Sequence, residues 1–239
     1  MTFDGSGTEV RRRGFNEAIT RFWSFAAPAY DAQFLQRWVY RPAQDEVVAR
    51  LRSAGSRKVA DIACGTGILA DRIERELHPD TEASEATGGF NAGASEATGR
   101  FEVYGVDMSD GMLAQAKARS SRVQWLKGPA EQLPFADGAL DAVVTTSAFH
   151  FFDQPAALAE FHRVLGPGGL VAVATISPAP PQALQWLSDS RFTPAHSPSP
   201  TQMRKLFEDA GFTVLDQHRV NRPIWTKLVP DLVTFGGKA

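Results

Sequence analysis

Cysteine occurs once in this 239-residue chain, at Cys64, which excludes an internal disulfide and fits a reducing, cytoplasmic setting. No apolar run approaches the ~18 residues needed to cross a bilayer. The N-terminus shows no apolar leader core, so neither integral membrane association nor a signal peptide is expected. Net charge is only −2, and no large field of one sign points to nucleic acid or an anionic membrane surface. The basic triplet Arg11-Arg12-Arg13 is too short to change that. His78, His162, His196 and His218 show no ligand spacing, and no cysteine pair exists, so no metal site is expected. A Gly-x-Ser-x-Gly elbow is also missing, which removes the argument for a serine hydrolase.

The chain does contain a strand-loop-helix unit. Val59-Ala60-Asp61-Ile62 is a short apolar run holding an acid, and Ala63-Cys64-Gly65-Thr66-Gly67 turns through small residues. Ile68, Leu69, Ile73 and Leu77 then recur at helical spacing. A loop of small residues lets backbone N–H groups approach a ligand closely, at the positive end of a helix. Cys64 lies inside this loop with no basic activator beside it and reads as a packing residue rather than a nucleophile.

Further strands are expected at 101–106, 123–126, 140–146, 170–176, 212–220 and 231–237, with helices at 112–119 and from Asp153 onward. Gly166-Pro167-Gly168-Gly169 is expected to stop that last helix and feed the strand at Leu170. Ser199-Pro200-Thr201-Gln202 has the form of a capping box opening another helix, which ends at Gly211. Strands alternating with helices indicate a mostly parallel sheet covered on both faces. The last two strands leave no room for a helix between them and should form an antiparallel pair at one end of it.

The 239 residues suit one domain. Residues 1–52 read as an aromatic-rich helical N-terminal cap, and 177–200 as a proline-rich lid. Ala83-Ser84-Glu85-Ala86-Thr87-Gly88 recurs as Ala94-Ser95-Glu96-Ala97-Thr98-Gly99. Residues 79–100 therefore read as a flexible, low-complexity insertion with almost nothing to bury. Dinucleotide-type folds place a ribose-binding acid roughly 20 residues beyond the glycine loop. Asp107 stands 40 positions after Gly67. With 79–100 set aside the interval is about 18, so Asp107 falls where that acid belongs.

Five motifs in order carry a resemblance: Asp61 to Gly67, Val106 to Ser109, Gly128 to Phe135, Leu140 to Val144, and Glu160 to Gly169. Over about residues 20–175 the chain resembles the class I S-adenosylmethionine (SAM)-dependent methyltransferases, in particular the type 11 group with its ubiquinone/menaquinone methyltransferases. The resemblance implies a Rossmann-like, doubly wound, mostly parallel seven-stranded sheet with an antiparallel strand near one edge. It implies SAM as cofactor, S-adenosylhomocysteine (SAH) as product, and a small-molecule acceptor. It further implies that Ala63, Gly65 and Gly67 line the methionine part of SAM and that Asp61 orders the loop and the cofactor's amino group. Asp107 would take the ribose, Met108 would pack on the adenine, and the Ala130-Glu131 loop would meet the adenine edge, with Thr145 also beside the cofactor. Pro129 stands where relatives carry an acid, so Glu131 or a backbone carbonyl would replace it. Tyr30 resembles a tyrosine that covers the pocket in similar enzymes.

If the acceptor is a hydroxyl or an acidic carbon, His150 is the best candidate for a general base, since it follows the fourth strand where the methyl would be presented. The rival is a pocket-lining histidine among three phenylalanines. Glu160 and Arg163 read as structural residues of the last motif. The expected acceptor is small and lipophilic, such as a quinone precursor, and the protein a monomer or homodimer. A non-catalytic SAM-binding regulator and a nicotinamide-dependent oxidoreductase remain alternatives at this point.

Overall fold

The computed structural model describes residues 40–78, 101–177, 197–220 and 231–239. Most of the expected N-terminal cap (1–39 of it), the whole 79–100 insertion and residues 178–196 of the expected lid lie outside the described residues.

Helix α1 (Arg41–Ala54) starts with a proline in its first turn and stops at Gly55, whose φ of 65° provides the left-handed cap. Strand β1 (Lys58–Ile62), helix α2 (Ile68–Leu77) and strand β2 (Glu102–Asp107) follow. The N-cap of α3 (Asp110–Arg119) is Ser109, whose hydroxyl accepts the Met112 N–H at 3.2 Å. Then come β3 (Gln124–Lys127), β4 (Leu140–Thr146), a 3-10 turn at Phe149–Phe151 and helix α4 (Gln154–Val164). After β5 (Leu165–Ile176), helix α5 (Pro200–Asp209) carries the expected capping box between Ser199 and Gln202. The chain closes with β6 (Phe212–Arg219) and β7 (Asp231–Lys238).

The sheet has seven strands in the order β3-β2-β1-β4-β5-β7-β6. Strands β1 to β5 pair in parallel, and β7 runs antiparallel to both β5 and β6. The antiparallel strand is thus one place in from the edge, as the resemblance implied. One boundary is corrected. The Gly-Pro-Gly-Gly segment does not precede β5 but lies inside it: Leu165 already pairs with Leu140, and a register shift separates that pair from Ala142–Leu170. The bulge takes up the extra residues, with Gly168 at φ 74°.

Side chains alternate across the strands, so each face buries its own core. One face packs Val59, Val144 and Ala172 under Val47 and Leu51 of α1 and Ile73 of α2. The other packs Val143 and Val173 under Leu158 and Phe161 of α4 and Phe207 of α5. Full burial of a leucine or phenylalanine stabilises by about 1.5–3 kcal/mol each. These two layers hold the strand tips rigid. The strand order reverses at β1, with β2 on one side and β4 on the other, and such a switch point opens a crevice at the carboxyl ends of the strands.

Candidate functional site

The crevice begins at Asp61, one residue from the end of β1. It is 2% exposed, and Oδ2 has no hydrogen-bond partner. Burial first, then the neighbouring Asp107 charge, hold its carboxyl well above the usual aspartate range. Ala63 follows at φ 55°, a left-handed conformation that costs a non-glycine residue about 1–2 kcal/mol. Among the described residues the other non-glycine at positive φ is Ser147 (φ 60°), just past the end of the adjacent strand β4. Such strained backbones cluster at ligand sites and switch regions, and these two lie at neighbouring strand tips.

Asp107, at the tip of β2, is the hinge pin of the loop. Its Oδ2 accepts the Gly65 N–H at 2.8 Å and its Oδ1 accepts the Ser109 N–H at 2.8 Å. Burial raises its pKa, and backbone hydrogen bonds from Ser109, Gly65 and Met108 act against that rise. Three backbone amides share its two oxygens, which leaves one of about four lone-pair sites for a ligand. Met108 beside it is 40% exposed, one of two large apolar side chains so placed among the described residues. Cys64 has its thiol pushed up by burial and by the charges of Asp61 and Asp107, so it stays protonated and is no nucleophile.

Gly67 has a packing reason that sequence reasoning missed. A Cβ there would come within 2.3 Å of the Trp125 ring, and a Cβ at Gly105 would meet the same ring at 2.3 Å. Trp125 is held by its indole N–H on the Ser120 carbonyl at 2.8 Å. Its pairing with Gly105 across β2 and β3 was the available signal, but register is invisible before the strands are aligned. Arg119 reinforces the loop by donating to the Thr66 carbonyl at 2.8 Å.

The Ala130-Glu131 loop follows β3. The Ala130 side chain is buried in the core with Val106 and Leu133, leaving its backbone as the part available to a ligand. Glu131 uses Oε1 to accept the Asp153 N–H at 2.8 Å, satisfying the start of α4. Glu160 and Arg163 act as structural residues. Glu160 accepts the Leu133 N–H at 2.7 Å, and Arg163 bridges Glu160 and Asp137, so the pair ties the 130–137 loop to α4.

His150 is 7% exposed with an unpartnered Nδ1 and its ring 4.0 Å from that of Phe151. Burial lowers its pKa to about 4, so the imidazole is neutral at physiological pH. Thr145 is fully buried with an unpartnered hydroxyl. Asp61 pairs with Val144, so Thr145 points to the opposite face of the sheet from Asp61. Tyr30 lies outside the described residues. Among the described residues no group of His, Cys, Asp and Glu could hold a metal ion.

Comparison with known proteins bears on the family and the fold. The family described as "Methyltransferase domain" matches residues 82–173. The malonyl-[acyl-carrier protein] O-methyltransferase of Dechloromonas aromatica is 30% identical over 217 residues, covering 88% of this chain and 70% of that protein. The demethylmenaquinone methyltransferase of Thermus thermophilus is 36% identical over 129 residues, 52% of this chain and 49% of that protein. A Thermotoga maritima structure described as a SAM-dependent methyltransferase, possibly a histamine N-methyltransferase, superposes with a TM-score of 0.62 at 22% identity. It covers 92% of this chain and 99% of that one, a likeness of fold. With five ordered motifs, a reversed strand order and an acid at each of the first two strand tips, the chain belongs to the class I SAM-dependent methyltransferases, in their type 11 group.

Proposed function

We propose that the carboxyl ends of β1 and β2 hold SAM and that the chain passes its methyl group to a small, lipophilic acceptor by in-line displacement. One observation carries the cofactor assignment. Asp61 Oδ2 is a buried carboxylate oxygen without a partner, close enough to Asp107 to feel its charge. Two desolvated acids with no ion-pair partner among the described residues are costly alone and are relieved by a positively charged ligand. SAM brings an ammonium and a sulfonium, and when bound it supplies a methyl group already made electrophilic.

In this reading Asp61 receives the ammonium directly or through the loop, and the backbone at Ala63, Gly65 and Gly67 borders the methionine part. Asp107 uses its remaining acceptor site for a ribose hydroxyl while keeping the loop closed. Met108, exposed beside it, offers its thioether to the adenine face, and the backbone at Ala130 and Glu131 faces the adenine edge. The protein's main contribution is then orientation and exclusion of water, which can supply about 7–11 kcal/mol. His150, held neutral, is available to accept a proton from the acceptor where the reaction requires it, a contribution of about 10²–10⁴-fold.

A relative named for demethylmenaquinone supports a small acceptor, and one named for malonyl-[acyl-carrier protein] supports a small group carried on a protein. The phenylalanines around His150 favour the lipophilic kind. No helix among the described residues is long and apolar enough to cross a membrane, and we infer a cytoplasmic monomer or homodimer. The experiment is calorimetric titration of the full chain with SAH, followed by a screen of candidate acceptors for SAH production from SAM. Micromolar SAH binding abolished in Asp61→Ala supports the assignment, and wild-type affinity in that variant overturns it.

A further inference from the structure

Buried polar side chains in folded proteins nearly all have partners, so a group of unpaired ones calls for an explanation, and a bound polar ligand is one. Two such atoms share one face of the sheet at the ends of β4 and β5, and a third lies in the turn that follows β4. Thr145 Oγ1, Thr175 Oγ1 and His150 Nδ1 lack partners, in residues 0%, 0% and 7% exposed. Thr145 pairs with Val173 of β5, and Thr175 lies two residues beyond Val173 on the same strand. Side chains two apart share a face, so both hydroxyls point to the side of the sheet that carries Phe149 and α4. From strand spacing and rise the two are about 8 Å apart, a span that one ring with a polar substituent bridges. The Ser147 N–H donates to the Ala174 carbonyl at 2.8 Å, which holds the start of the His150 turn against the end of β5.

We propose that Thr145, Thr175 and His150 form the polar wall of the acceptor site and select an uncharged, hydroxyl-bearing aromatic acceptor. The proposal rests on the methyl-transfer reading above and assigns Thr145 to the acceptor rather than to the cofactor. Two threonine hydroxyls and a neutral imidazole can each donate or accept, which suits a phenol or enol hydroxyl, itself both donor and acceptor. None of the three brings a charge, so a carboxylate taken into this wall loses its hydration without gaining a counterion from it. The neighbouring rings of Phe149, Phe151 and Phe152 supply the flat apolar walls that an aromatic acceptor needs.

The test uses 2-naphthol and 2-naphthoate as probes of one shape and different charge, titrated into the full chain at pH 7.5 with and without saturating SAH. The wild type should bind 2-naphthol at least tenfold more tightly than 2-naphthoate. A single hydroxyl reaches only one of two groups about 8 Å apart, so one of Thr145→Val and Thr175→Val should weaken 2-naphthol binding about three- to tenfold, the worth of a hydrogen bond, and the other should change it less than about twofold. Both variants should melt at or above the wild-type temperature, because a methyl group replaces an unpaired buried hydroxyl. Equal binding of the two probes, no 2-naphthol binding up to millimolar concentration, or wild-type 2-naphthol affinity in both valine variants would each overturn the proposal. A lower melting temperature in both valine variants would also overturn it, by showing that the fold itself uses these hydroxyls. Failure of SAH to bind would count against the cofactor assignment alone, since the titrations without SAH still compare the probes.

Discussion

The Gly65 N–H donates to Asp107 Oδ2 at 2.8 Å, joining the first loop to the tip of β2 across 42 positions of sequence. A carboxylate already holding the Gly65 and Ser109 amides arranges the loop before any ligand arrives, and preorganisation of this kind lowers the cost of binding.

Asp107→Asn separates positioning from charge. The amide keeps one acceptor oxygen but turns an NH2 group toward either the Gly65 or the Ser109 N–H. Loss of one hydrogen bond to a charged group is worth about 1.5–3 kcal/mol, so SAH affinity should fall roughly 10- to 100-fold with an unchanged far-ultraviolet spectrum. Calorimetric titration checks this, and wild-type affinity would remove Asp107 from the site.

Asp61 should make ligand-free stability and ligand affinity respond oppositely to substitution. Its folded pKa lies above the ordinary aspartate value, so the folded state holds the proton more tightly than the unfolded chain. Its contribution to stability is therefore complete below the ordinary value and is lost as pH rises through the raised one. Asp61→Asn removes that loss. The variant should melt higher than wild type at pH 7.5, by about 2–4 °C for each kcal/mol relieved in a domain of this size, while binding SAH more weakly. A variant that melts lower contradicts an uncompensated carboxylate.

His150, with a pKa lowered to about 4, stays unprotonated from pH 6 to pH 8. If it accepts the acceptor's proton, turnover should be flat across that interval as far as this group is concerned, and His150→Ala should cut kcat by about 10²-fold or more while sparing SAH affinity. Steady-state rates across the interval decide: a decline through pH 6.5 in the wild type that is absent in His150→Ala would mean that the imidazole titrates normally.

Gly67→Ala should destabilise the protein through Trp125. The added Cβ meets the indole ring at 2.3 Å and sits at φ 79°, so overpacking of about 1–3 kcal/mol adds to about 1–2 kcal/mol of backbone strain. Gly67→Ala combined with Trp125→Leu should recover the steric part. A coupling of about 0.5–3 kcal/mol in a denaturation cycle is expected, and strict additivity would show that the two positions do not meet.

Features encoded by local chemistry were legible in the sequence. The β4 and α2 boundaries, the Ser199–Gln202 capping box and the position of Asp107 follow from periodicity, turn residues and spacing, which need no knowledge of distant contacts. Features set by pairing across the sheet were not. The Gly-Pro-Gly-Gly segment looks like a helix stop but becomes a bulge because Leu165 already finds a partner in Leu140. Glu131 looks free for adenine but is engaged by Asp153, 22 positions away. Thr175 reads as one more β-branched strand residue until its unpaired hydroxyl is seen beside that of Thr145 on the same face.

The left-handed backbones of Ala63 and Ser147 make these two positions a natural target for thermostabilisation. Glycine at either one relaxes the conformation and should raise the melting temperature of the empty protein. The same exchange would loosen the rims of two adjacent strands and slow turnover, so a library selected on heat resistance alone would drift toward sturdy, sluggish variants there.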